Sequence, residues 1–308
     1  MKNFLKFLNK NLTNILSLTI LFILLSSLSY TNAVVTSGTS KMNQIKIVEF
    51  NKNMCTSNAQ FNNNTDNIKQ NTQYKMAIVI DDFGSYDQSG VEKLLTCNAP
   101  LTCAVIPNVD NTDTNIQQIL QNNHELILHM PMESHVSLPE DWYGPVYIKN
   151  HDSKETIINK LNQCINQFPS IKGFNIHIGS GVSRNKEIMK TIYEFANTND
   201  LYFLDSRTIM TNGTTDACKE TNSIYLGRDV FLEADKNKSY NGVCYRLIEG
   251  ANIAKEKGYS IVIGHVGAEG GENTAKAICD SLNKIKEMGV EIVPLSEIFN
   301  DLQSSMTK

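Results

Sequence analysis

Apolar positions fall into two rhythms along this chain. Short runs of branched apolar residues, bounded by polar or glycine-containing turns, predict strands at 76–81, 101–106, 125–130, 173–178, 201–205, 223–226, 259–264 and 290–294. Between most of them the apolar residues recur at helical spacing. The stretch "DSKETIINKLNQCINQF" opens with Asp152 three residues ahead of Glu155, the spacing of a capping box. Then come "RNKEIMKTIYEFANTND", "NGVCYRLIEGANIAKEKG" and "NTAKAICDSLNKIKEMG", the last two closing on Gly258 and Gly289, where a helix C-cap glycine belongs. Strand–helix alternation over roughly 225 residues predicts a single α/β domain with a parallel sheet, and a closed or nearly closed (β/α) barrel is the natural solution at that length. Its expected limits are 76–301, with 302–308 as a tail.

The first 75 residues break this rhythm. "MKNFLKFLNK" carries three lysines and no acid, "ILSLTILFILLSSLSY" is uncharged and mostly apolar, and "TNA" offers small residues at −3 and −1. Residues 1–33 therefore read as a secretory signal cut after Ala33, the rival being an uncleaved membrane anchor. Either makes the remainder exported, periplasmic or secreted. Residues 34–75 are rich in Asn, Gln, Ser and Thr and read as a polar flexible linker. Losing three lysines leaves 25 basic against 32 acidic residues, and no basic stripe appears, so nucleic acid is excluded as a partner. Seven cysteines, Cys55, Cys97, Cys103, Cys164, Cys218, Cys244 and Cys279, allow up to three bridges and a spare thiol. No CxxC spacing offers a cysteine zinc site. Cys164 and Cys279 sit in helical patterns, where a free thiol serves as apolar filler as readily as a bridge.

Chemistry enters at the strand ends. Residues two apart in a strand share a face. By that rule Ile78, Ile80 and Asp82 share one, as do Ile127 and His129, Asn175 and His177, Leu201, Phe203 and Asp205, and Ile261, Ile263 and His265. Five strands finish with an ionisable residue at the carboxyl end, where parallel α/β folds place their sites. Gathering imidazoles and carboxylates without a counter-ion is expensive, and a cation turns their repulsion into ligation. Imidazole with carboxylate suits one divalent metal, zinc before iron, cobalt or nickel, and three ligands with an open position describe a catalytic site. Asp82, His129 and His177 are the expected ligands. Asp81 then stands beside the activated water as its base, its competing role being a turn cap.

"AIVIDDFG", "ELILHMPME", "GFNIHIGS", "FLDSRT", "GRDVFLE" and "VIGHV", in that order from about Met76 to Phe299, resemble the motif series of the divergent polysaccharide deacetylase family. The resemblance implies a distorted (β/α) barrel with a groove-like top, a divalent metal that is usually zinc, and hydrolysis of an N-acetyl or related acyl group on a sugar. It puts the base on Asp81, a metal ligand on Asp82 and the general acid on His265. The superfamily's HxxxH pair corresponds here to His129 and Glu133, so Glu133 is the alternative to His177 as a ligand, unless it pairs with Arg184 or Arg207. Supporting roles fall on Asp205, orienting an imidazole, on Arg228, pairing with a carboxylate, and on Arg207 and Asp229, with a purely structural ion-pair network as the competing reading. The chain departs from the pattern at Ile176, at Val266, and at Glu233 with Ala234.

The expected substrate is a polysaccharide or amino sugar, including cell-wall glycan. Phe83, Trp142 and Tyr143 are candidates for stacking against it and Asn175 for contacting it. The alternative is an exported carbohydrate-binding or scaffold protein that keeps the barrel and metal without activity. A two-metal phosphoesterase needs more ligands than the strand ends offer.

Overall fold

Each predicted strand lies in one sheet whose pairings are all parallel. The computed structural model describes residues 74–235 and 238–306; the signal or anchor expected at 1–33 and all of the linker before Tyr74 lie outside the described residues. The strands are β1 (Tyr74–Phe83), β2 (Thr102–Val105), β3 (Glu125–Met132), β4 (Gly173–Ile178), β5 (Tyr202–Asp205), β6 (Leu226–Gly227), β7 (Val230–Phe231), β8 (Tyr259–His265) and β9 (Val290–Ile292). Their order is β6-β5-β4-β3-β2-β1-β8-β7, and β9 pairs with the start of β1. The helices are α1 (Val91–Leu95), α2 (Thr112–Gln121), α3 (Lys154–Ile165), α4 (Lys186–Thr198), α5 (Gly213–Glu220), α6 (Tyr240–Lys257), α7 (Gly271–Glu287) and α8 (Leu295–Met306). α8 takes up most of the expected tail.

The sheet curls until its two edges nearly meet. Edge strands β6 and β7 are separated in the chain by Arg228 and Asp229 alone, yet they do not pair. Instead the Arg228 amide donates to the Asp205 carbonyl on one side, and the Asp229 amide to the Ile261 carbonyl on the other. The result is the expected distorted (β/α) barrel, open along one seam.

Alternation along the strands builds two cores. Ala77, Val79, Ala104, Ile127, Leu204, Ile261 and Ile263 face one another inside the curl. Met76, Ile78, Ile80, Leu126, Leu128, Phe174, Phe203 and Val262 face the helices. Period-two sequence thus assigns each strand residue to barrel or helix layer.

Helix ends follow local chemistry, with one correction. Asp152 does not cap α3. Ser153 does, accepting from the Thr156 amide, while Asp152 accepts from the Lys149 amide and the Lys160 ammonium. Gly258 ends α6 in the left-handed conformation at φ +93°, where a side chain would be strained. Cys97 and Cys279 form a disulfide, which overturns the filler role for Cys279. Cys103, Cys164 and Cys218 are buried free thiols.

Candidate metal centre and active site

Backbone geometry at the carboxyl ends decides which side chains meet. Asp81 continues the interior series Ala77 and Val79, and it pairs in register with His265 of β8. Strict alternation would leave Asp82 with Ile78 and Ile80 under the helices. The register of β1 against β2 slips between Ile80 and Phe83, however, and Asp82 takes φ +68°. That bulge turns Asp82 into the basin Asp81 already faces. The two adjacent carboxylates therefore serve one site because the chain kinks between them, a correction to the shared face expected for Asp82. β4 ends similarly: Ile178, next to His177, has φ +62°, an outlier for a β-branched residue.

Asp82, His129 and His177 each offer a ligand atom, all within 4.8 Å of one another. The hydrogen-bond chain behind them fixes which atoms point inward. The Asp81 carboxylate only accepts, so the Asn175 amide turns its Nδ2 toward Asp81 Oδ1 at 2.7 Å. Asn175 Oδ1 then faces His129 Nδ1 at 2.7 Å and must accept a proton from it. His129 Nε2 is left facing Asp82 Oδ1 at 3.3 Å. His177 is set the same way. Its Nε2–H donates to the Trp142 carbonyl at 3.1 Å, leaving Nδ1 3.2 Å from Asp82 Oδ1. Two imidazole lone pairs and a carboxylate converge on one point, the donor set of a divalent cation with outer-shell acceptors already in place. Without the cation that convergence holds protons. Burial opposes charge at His129, but Asp81 and Asp82 outweigh it and raise its pKa. Burial likewise acts to raise the Asp82 carboxyl, yet its bonds to His129 and His177 hold it well below the usual range.

His265 lines the same cavity, of about 410 Å³. Its Nδ1 lies 3.0 Å from Glu233 Oε2, and its backbone amide donates to Glu233 Oε1 at 2.9 Å. Thr274 donates to that same oxygen. Burial disfavours the imidazolium, but the Glu233 hydrogen bond and the charges of Asp82 and Asp81 prevail and raise His265 to about 9. Glu233 reaches it because β8 carries Gly264, where an added Cβ would stand 3.3 Å from Glu233 Oε1 and 2.9 Å from Leu232 Cδ1. Sequence reasoning assigned Glu233 no role; its only signal was the departure from the family motif at that position.

Several expected partners sit elsewhere. Asn175 is wholly buried, its carboxamide bonded to Asp81 and His129. Tyr143 is buried, receives a hydrogen bond from the Ser134 amide and stacks on Tyr147. Trp142 is 60% exposed, and its described bond to the site runs through its carbonyl. Phe83 is buried in the helix-side core. Glu133 accepts from the Asn150 amide at 2.6 Å, apart from the triad and from both Arg184 and Arg207. Asp205 orients no imidazole. It continues the helix-side series of Leu201 and Phe203, and it accepts from the Arg207 amide and the Tyr225 hydroxyl. Asp229 pairs with Lys257 rather than an arginine. Arg228 donates to the carbonyls of Ser206 and Arg207, not to a carboxylate.

This arrangement can hold one cation, take a proton at Asp81 and give one from His265. The profile described as divergent polysaccharide deacetylase matches residues 78–299. The Escherichia coli (strain K12) protein YibQ is 28% identical over 191 residues, covering 62% of this chain and 58% of that protein, so the match spans little more than half of the relative's length. An Agrobacterium tumefaciens C58 protein of known structure, ATU2773, superposes with a TM-score of 0.66 at 19% identity, covering 73% of this chain and 89% of that one. A structure described as a putative cellobiose-phosphate cleavage protein from Enterococcus faecalis V583 superposes with a TM-score of 0.56 at 12% identity, covering 73% and 99%. At those identities the two structures speak for the fold alone.

Proposed function

We propose that this chain, which belongs to the divergent polysaccharide deacetylase family, is an exported, zinc-dependent hydrolase that removes an acetyl or related acyl group from a sugar of a polysaccharide or cell-wall glycan. The observation that carries this reading is the Asp81–Asn175–His129 chain. It holds a carboxylate ready as base while aiming an imidazole lone pair at the cation site a few ångströms away. A divalent ion held by Asp82, His129 and His177 would polarise the acyl oxygen and acidify a water. Asp81, fixed by Asn175, accepts the proton that this water gives up. His265, kept protonated by Glu233, donates to the leaving nitrogen or oxygen as the acyl bond breaks. Phe231, edge-on to His265 with ring centroids 5.0 Å apart, lines the same cavity and limits water around the acid. The Cys97–Cys279 bridge suits an oxidising compartment, in keeping with an exported chain.

The test is acetate release from chitin-type oligosaccharides and peptidoglycan fragments by zinc-loaded protein. Asp81→Asn should keep its zinc and lose release by at least about a hundredfold, the usual span of general-base catalysis. Asp82→Ala should lose the zinc. Zinc held at the triad with no release across a broad acyl-sugar panel would instead favour the carbohydrate-binding reading.

A further inference from the structure

The cavity contains two arginines that the hydrolytic scheme does not use. Arg207 and Arg228 line it with Ser206 and Thr208, beside the carboxylates and imidazoles. They are locked to one another's backbone: Arg207 Nη1 donates to the Arg228 carbonyl at 2.9 Å, and Arg228 Nη2 to the Arg207 carbonyl at 2.9 Å. Arg207 Nε donates to the Tyr225 hydroxyl, and Arg228 Nε to the Ser206 carbonyl. These bonds fix both guanidinium planes yet leave Arg207 Nη2 and Arg228 Nη1 with no hydrogen-bond acceptor among the described residues.

The nearby acids are committed elsewhere. Asp205 is taken by Tyr225 and the Arg207 amide, Asp229 by Lys257, Glu233 by His265 and Glu269 by Lys238. Among the described residues neither arginine forms an ion pair with a carboxylate. Two like charges held side by side without such a partner cost stability, and a ligand anion would repay that cost. Charge balance points the same way. Asp81, Asp82 and Asp205, whose own partners Tyr225 and the Arg207 amide are uncharged, outnumber the two arginines by one, so a divalent cation at the triad leaves one positive charge unmatched in the cavity.

We infer, resting on the hydrolase reading above, that this site selects acyl sugars carrying a carboxylate close to the acyl group. Arg207 is the specificity-determining residue, and Arg228 stands beside it. A carboxylate presents two oxygens, acceptors of the kind that Arg207 Nη2 and Arg228 Nη1 lack. The chemistry is shared by uronic acids and by amino sugars bearing a lactyl ether.

The experiment titrates the full chain, with and without zinc, against three probes followed by calorimetry. They are an N-acetylglucosamine disaccharide, the same disaccharide with a 3-O-lactyl ether, and the same with a carboxylate at C6. At least one acid should bind about tenfold or more tightly than the neutral sugar to the zinc-loaded chain, as a charged hydrogen bond requires, and by a smaller margin without zinc, where the carboxylates offset the arginines. Whichever acid is preferred identifies the source of the carboxylate. Raising salt should shrink the preference, R207Q should abolish it, and R207K should retain part of it. Circular dichroism reports whether R207Q has folded; if it has not, the wild-type and R207K arms decide. Equal affinity for all three sugars overturns the inference. So does a preference that survives folded R207Q, which would mean that the carboxylate binds another group, the metal included. Acyl release measured alongside separates the two readings. A preference without release from any sugar sinks the hydrolase and leaves the anion site standing, whereas release without preference does the reverse.

Discussion

Asn175 does more for the site than its residue type announces. Its carboxamide hydrogen-bonds both the proposed base and an imidazole of the candidate triad, so truncating it frees His129 to rotate or change tautomer and unpins Asp81. Asn175→Ala should weaken zinc binding 10- to 100-fold, the usual cost of losing an outer-shell partner, read by competition against a chelator. Glu233 acts similarly on His265. As the acid, His265 works only while protonated, so activity falls as pH rises through its pKa. Against burial, that value is raised to about 9, first by the Glu233 hydrogen bond and then by the charges of Asp82, Glu233 and Asp81. Glu233→Gln should shift the alkaline limb of kcat downward by about one unit, hence about a tenfold loss on that limb. An unmoved limb would mean that His265 is not the acid. The histidines were legible in the sequence because each closes an interior period-two series: Ile127 to His129, Asn175 to His177, Ile263 to His265. Asn175 was legible in position but not in role, since alternation gives the face and not the hydrogen-bond partner. Glu233 was hidden because the glycines that admit it, Gly264 and Gly270, lie more than 30 residues downstream.

At the level of the element, left-handed residues at strand ends aim the site. Asp82, Ile178 and Arg207 all have positive φ and follow β-sheet residues into the cavity. Each costs on the order of 1–3 kcal/mol that the surrounding packing must hold. Asp82→Gly relieves that strain and removes a carboxylate from beside Asp81. It also loses the bonds to His129 and His177 that hold the carboxyl low, so the metal-free thermal midpoint should fall less than in Asp82→Ala, which loses the same bonds and keeps the strain, while the rise in midpoint on adding zinc disappears in both. A metal-free midpoint as low in Asp82→Gly as in Asp82→Ala would show that the bulge is not strained. Gly84 makes the complementary case. It has φ +90°, an added Cβ would lie 2.9 Å from the Ile106 carbonyl oxygen, and its amide donates to Asn115. Gly84→Ala should cost about 2–4 kcal/mol in urea unfolding, from strain and crowding together. Strand positions were readable from apolar runs, but bulges were not, and that is why Asp82 was placed on the face of Ile78 and Ile80. Asp82 crosses by a kink. Asp205 obeys alternation and falls on the helix side with Phe203. β6 and β7 are two residues each, too short to show a period, and β7 passed unseen beside the seam.

Across the whole molecule, the Cys97–Cys279 bridge joins the first described strand–helix unit to the last long helix, 182 residues apart. β1 lies beside β8 in the sheet, so the bridge secures the place where the beginning of the barrel meets its end. Polar contacts stitch the same boundary: Glu272 on α7 accepts from the Gly90 amide, and the Gly267 amide donates to the Ser89 carbonyl. These contacts hold in the folded state only, whereas the crosslink also restricts the unfolded chain, and so large a loop contributes about 2–4 kcal/mol. Replacing both cysteines by serine should lower the urea midpoint accordingly. Zinc affinity of the folded protein should stay within about twofold, because the ligands sit on β1, β3 and β4, whose mutual pairing runs through β2 and does not cross that boundary. A variant that loses zinc as steeply as stability would place the metal site under the control of the seam. Alkylation supplies an independent gauge of unfolding. Cys103, Cys164 and Cys218 are buried, and burial pushes their thiols upward, Cys164 to about 12. They should stay unreactive in the native protein and label together once the barrel opens, at a lower urea concentration when the bridge is absent.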